Sequence, residues 1–87
     1  MRINKILISL DVQEKIFKKH NVKRDDIEAV FFDDPYYFKD KKGRYVVIGY
    51  DYVTVVFEFY DNYAEIITAY KSSRWQKRLY KVKRCFQ

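Results

Sequence analysis

At 87 residues the chain has material for one domain and one core, and its 48% hydrophobic share, with nine Tyr and seven Phe, fills that core without disulfides. The lone Cys85 excludes an intramolecular disulfide framework and points to a reducing compartment, while one His and two Gly leave neither metal-ligand spacing nor a glycine-rich phosphate cradle, so no metal and no nucleotide cofactor are expected. The net charge of +6 favours a polyanionic partner, and where along the chain that charge lies decides how.

Residues 2–9 read as a first strand, with Ile3, Ile6, Leu7, Ile8 and Leu10 giving an apolar stretch expected to be buried on both faces. The stretch is too short for a signal peptide or membrane span, so a soluble cytoplasmic protein is expected, with no membrane partner. Asp11 is expected to cap a first helix, with Glu14 as its capping-box partner. Val12, Ile16 and Phe17 are that helix's apolar contacts, and Asn21 closes it because Asn tolerates the left-handed conformation. Asp25 and Asp26 open a second helix carrying Ile27, Val30 and Phe31 at helical spacing, which Pro35 stops.

Beyond Pro35 the period turns to alternation and the composition to aromatic and β-branched residues, which suit a pleated surface. Strands are predicted at 36–39, 44–50, 52–60 and 63–71, joined by turns too short for anything but antiparallel hairpins. Ser73 with Gln76 three residues on is a second capping box, opening a helix over about 74–83. On that helix Trp75, Leu79 and Val82 share one face and are expected to anchor it in the core. The predicted order is β-α-α-β-β-β-β-α, an α+β domain with its helices segregated against an antiparallel sheet.

Residues 1–70 balance eleven Lys or Arg against twelve Asp or Glu. The remainder holds Lys71, Arg74, Lys77, Arg78, Lys81, Lys83 and Arg84 with no acid. A cationic stretch of this kind is a footprint for nucleic acid, with a solvated helix face as the plain alternative.

Lys19-His20-x-Val22, Asp26-Ile27-x-Ala29-Val30-Phe31 and Asp34-Pro35 are followed by Arg44-Tyr45, Ile48-Gly49, Glu65-Ile66-Ile67-Thr68-Ala69-Tyr70 and Gln76-Lys77-Arg78-Leu79-Tyr80. In this order and spacing the chain resembles the BrnT family of bacterial ribonuclease toxins, from Lys19 to Tyr80. The resemblance implies a RelE-like fold, RNA cleavage that halts translation, and neutralisation by a cognate antitoxin. The chain departs from the family pattern where the last-strand motif Arg-Ile-Ile-Ser-Ala-Arg has Glu65 and Tyr70 for its arginines, and where Gln76 replaces the helix glutamate.

Metal-independent RNA cleavage needs a base for the 2′-hydroxyl, cations for the phosphorane and a proton for the leaving oxygen. The candidate catalytic set is Arg44, Tyr70, Lys71, Arg74 and His20, with Tyr70 as proton donor and Lys71 standing in for the missing arginine if the strand ends before it. A lone His at a helix end also reads as a capping residue. Lys77, Arg78, Tyr80, Lys81 and Arg84 are the expected RNA contacts, Arg78 also serving the cationic clamp and Tyr80 being a second candidate proton donor. The alternative is a catalytically inactive RNA- or protein-binding module that kept the fold and the basic helix, and in a third reading that helix docks an acidic protein such as the antitoxin.

Overall fold

The computed structural model describes residues 3–85, without the side chain of Cys85; Arg2, expected to begin the first strand, lies outside them. The elements run β1 (Lys5–Leu7), α1 (Leu10–His20), α2 (Arg24–Phe32), β2 (Tyr36–Lys39), β3 (Tyr45–Ile48), β4 (Val53–Tyr60), β5 (Tyr63–Lys71) and α3 (Arg74–Tyr80), with a π-helical turn at Lys81–Cys85. β2 to β5 form the expected antiparallel meander. The sheet is nonetheless mixed, because β1 joins the outer edge of β5 in parallel, giving the order β1-β5-β4-β3-β2.

β1 is therefore a three-residue edge strand with Lys5 and Leu7 exposed, and not the doubly buried strand expected. Ile8, just beyond it, enters the core, while Leu10, expected to be buried, opens α1 and is exposed. Helix α1 starts earlier than expected: Ser9, not Asp11, is the N-cap, its hydroxyl accepting from the Val12 N–H at 3.2 Å. Asp11 lies instead in the first turn, where its charge suits the helix dipole. Asn21 ends α1 at φ 54°, as its side chain permits. At the start of α2, the Asp26 carboxylate accepts from the Lys23 N–H at 2.9 Å.

The helices lie on both faces of the sheet, which makes three layers. On one face Ile16, Ile27, Val30 and Phe31 of α1 and α2 pack with Val47, Val55, Phe57 and Ala69. Phe57 is fully buried at its centre, ringed by Phe31, Tyr37 and Tyr45 with centroids 5.3, 6.3 and 5.7 Å away. On the other face α3 covers Thr54 and its neighbours with Gln76 and Tyr80, which are 4% and 2% exposed. The apolar stripe expected to anchor α3 points elsewhere: Trp75 and Val82 are 57% and 54% exposed. Helical periodicity locates a stripe but not the direction it faces, and the buried stripe here is the one that satisfies the polar row of the sheet.

One irregularity sets the faces of β5. Val56 pairs with Thr68 and Phe57 with Ile66, so Ile67 is an extra, unpaired residue in a β-bulge. Ala64 and Ile66 face the α1/α2 core; without the bulge Tyr70 would share their face and Ala69 would not. With it Ala69 is buried in that core and Tyr70 pairs with Thr54 on the α3 face.

Gly49 is buried at the end of β3, where an added Cβ would stand 3.0 Å from the Val30 Cα and 3.1 Å from its Cγ2. The glycine lets α2 close on the sheet. Gly49→Ala is expected to destabilise the domain by about 1–3 kcal/mol, the usual range for overpacking; an unchanged urea midpoint would show that α2 gives way freely.

Candidate active site and basic helix

β5, β4 and α3 meet in a buried polar network. Gln76 Oε1 accepts from the Ser73 N–H at 2.9 Å and from Thr54 Oγ1 at 3.1 Å, while Ser73 Oγ accepts from the Gln76 N–H at 3.4 Å. The amide is thereby oriented, and its Nε2 donates to Tyr70 Oη at 2.9 Å. Since Thr54 gives its one proton to Gln76, Ser72 Oγ is the donor in the 2.7 Å contact with Thr54 Oγ1. The chain of donors thus runs Ser72 to Thr54 to Gln76 to Tyr70, and the Tyr70 proton is left to point out of the network. Among the described residues no buried side-chain polar atom lacks a partner.

The two departures from the toxin motif in this region touch each other. Tyr70 stands where the motif has arginine and Gln76 where it has glutamate, and the pair forms a neutral hydrogen bond in place of two opposite charges. His20, at the C-terminal end of α1, reaches Tyr70 past the edge of β5 that β1 leaves uncovered; their ring centroids are 5.9 Å apart at 53°. Both residues are half-buried, and His20 also lines a depression with Lys19 and Thr68.

The remaining candidates divide. β5 does not end before Lys71, which pairs with Val53, so the pleat carries its side chain to the face opposite Tyr70. Arg44 precedes β3, four residues before Ile48, the residue in the Tyr70–Thr54 row. That sets it roughly 13 Å along the sheet from that row. It shares a shallow depression with Glu58, which sits opposite Glu65 in the β4–β5 pairing. Glu58 also accepts the Tyr60 hydroxyl, and that bond raises the phenol's pKa. Tyr80, expected to meet RNA, is a core residue: its hydroxyl donates to the Asp34 carbonyl at 2.8 Å and its ring meets Tyr52 edge-on at 5.9 Å. Arg84 ion-pairs with the Asp34 carboxylate and so clips the chain end to the turn before β2.

Arg74, Lys77, Arg78 and Lys81 line an open depression of about 410 Å³ on the outer side of α3. All four are exposed, and Lys77 Nζ also lies 5.6 Å above the Tyr52 ring. Tyr52 holds φ 60°, an uncommon conformation for an aromatic residue, and its carbonyl accepts from the Ser72 N–H at 2.8 Å. A strained turn is thus held against the start of α3, next to the polar network.

Sequence reasoning missed Thr54 and Ser72 as members of the site. The Ser73–Gln76 box was legible, but nothing in an alternating strand marks one threonine as the partner of a glutamine 22 residues on. No three His, Cys, Asp or Glu gather into a metal-holding group among the described residues, and none of their helices is long and apolar enough to cross a membrane.

These features define a small, basic α+β domain: a five-stranded sheet between two helices and a third, with a cationic helix beside a tyrosine–glutamine network. The crystal structure of the ribonuclease toxin BrnT from Brucella abortus has this fold, at a TM-score of 0.64 and 19% identity, over 80% of this chain and 97% of that one. The likeness to BrnT drawn from the motifs therefore extends to the fold. No family model matches the sequence, and no curated protein does.

Proposed function

We propose that this chain is a toxin-like endoribonuclease of the BrnT family, with a RelE-like fold, cytoplasmic, cleaving mRNA without a metal and neutralised by a cognate antitoxin. The observation that carries the reading is the Tyr70 hydroxyl, beside His20 and bound by Gln76 of α3, a helix whose outer face is cationic. The exposed guanidinium and ammonium groups of Arg74, Lys77, Arg78 and Lys81 hold phosphates of a single strand.

In the proposed reaction the 2′-oxygen attacks the adjacent phosphorus as His20 takes its proton, and the bond to the 5′-oxygen breaks as Tyr70 gives that oxygen its proton. The products are a 2′,3′-cyclic phosphate and a 5′-hydroxyl end. Water then returns the proton to Tyr70 and His20 releases its own. DNA lacks the 2′-hydroxyl and is not cut. A second reading, a catalytically inactive RNA- or protein-binding module of the same fold, is favoured by the make-up of the Ser72–Thr54–Gln76–Tyr70 network, which is built of hydroxyls and an amide with no carboxylate, imidazole or cation among them.

The test is incubation of purified protein with single-stranded RNA in EDTA, beside an Arg74→Ala/Arg78→Ala variant. Fragments with 5′-hydroxyl ends from the wild type, reduced in the variant, support the nuclease; intact RNA that is still bound in a salt-sensitive way supports the silent module. Four phosphate contacts give a slope of log affinity against log salt of about −2.8 for a single strand, and the double variant is expected to flatten it by about 1.4. An unchanged slope would place RNA elsewhere on the surface.

A further inference from the structure

We infer that Trp75 is a stacking platform for one unpaired nucleobase, on the side of α3 away from Tyr70, so that the strand crosses the basic face of the helix between the two. The inference rests on the reading that the ligand is RNA.

Trp75 is the one tryptophan of the chain, and burial of so large an apolar side chain is what folding ordinarily favours. Here it is 57% exposed, although it belongs to a helix whose neighbouring stripe enters the core. Its ring is braced from the sheet side by Phe38 of β2, edge-on at 6.2 Å and 65°, and Phe38 in turn stacks on Tyr36 at 6.1 Å. The indole is therefore held in place without being covered.

Helix geometry gives the surroundings. At about 100° per residue, Gln76 and Tyr80 lie on one side of the Trp75 stripe and Arg74, Arg78 and Lys81 on the other. Gln76 turns toward Tyr70 on β5, and Trp75 toward Phe38 on β2, three strands away, or roughly 14 Å at the usual strand spacing. The basic stripe occupies the outer side of the helix between these directions. An exposed aromatic ring on a helix that carries Arg74, Lys77 and Arg78 and no acid is the arrangement that holds a single strand, with bases stacked on the ring and phosphates on the cations. A protein segment covering Trp75 would have to bring its own negative charge; RNA carries it at every residue.

The single tryptophan makes the test direct. A 2′-O-methyl RNA oligonucleotide, which cannot be cleaved, is titrated while Trp75 fluorescence is followed. A matched strand with abasic sites, and a duplex of the same sequence, serve as controls of equal charge type. The base-containing single strand is expected to quench the fluorescence, and the abasic strand and duplex to leave it nearly unchanged. By anisotropy of labelled RNA, Trp75→Ala is expected to weaken binding about tenfold or more with the salt slope kept, and Trp75→Phe to restore most of it. Binding without quenching, or equal quenching by the abasic strand, overturns the subsite while the RNA reading stands, and leaves the exposed indole to a protein partner. Absence of binding by any strand overturns both.

Discussion

Tyr70→Phe is expected to lower the rate of RNA cleavage by about a hundred- to ten-thousand-fold, the usual contribution of a positioned proton donor, with RNA affinity and fold retained. The phenyl ring keeps the packing against His20, and the half-buried position lets water accept the Gln76 Nε2 proton that Tyr70 Oη accepted. Gln76→Glu is the sharper companion. Ser73 N–H and Thr54 Oγ1 still donate to one carboxylate oxygen, but the other oxygen now accepts where Nε2 donated, and it draws the Tyr70 proton inward. Cleavage is expected to fall although the phenol is still present. Single-turnover cleavage of end-labelled RNA in EDTA reads both variants; wild-type rates for Tyr70→Phe would remove the tyrosine from the mechanism.

Phe57→Ala carries the largest expected effect on stability, a loss of about 3–5 kcal/mol. Phe57 is fully buried, and its removal empties the centre of the cluster formed with Phe31, Tyr37 and Tyr45, which joins α2 to β2, β3 and β4. A domain of this size has only about 5–15 kcal/mol in total, so the variant is expected to lie near its unfolding threshold. Thermal unfolding should show a drop of more than about 10 °C. A loss below about 1 kcal/mol would mean that the aromatic cage collapses onto the cavity, and that the core is less tightly packed than its geometry indicates.

The substituted motif positions also change what a loss of charge means in this site. Taken one at a time, Tyr70 without its arginine and Gln76 without its carboxylate read as two separate defects. Across the β5–α3 junction they form one hydrogen-bonded pair, anchored by Thr54 and Ser72. The pairing could not be read along the chain, because six residues and a change from strand to helix separate the partners.

Much was legible in the residues themselves. The change of period at Pro35 separated the first helices from the strands, and turn and cap chemistry placed Asn21, Pro35, Gly43 and Ser73 at element boundaries. The unbalanced charge of the last seventeen residues located the cationic face of α3. Those features act over a few neighbouring residues, so a linear reading captures them. What only the tertiary structure decided depends on distant partners. The parallel docking of β1 beside β5 spans more than fifty residues, and the bulge at Ile67 turns Tyr70 from the core face to the α3 face. Placement of α3 over Thr54 then chooses which of its stripes is buried, leaving Trp75 in solvent and Tyr80 inside. A helix period and a strand period each define faces, but only packing against the other elements determines which face turns inward.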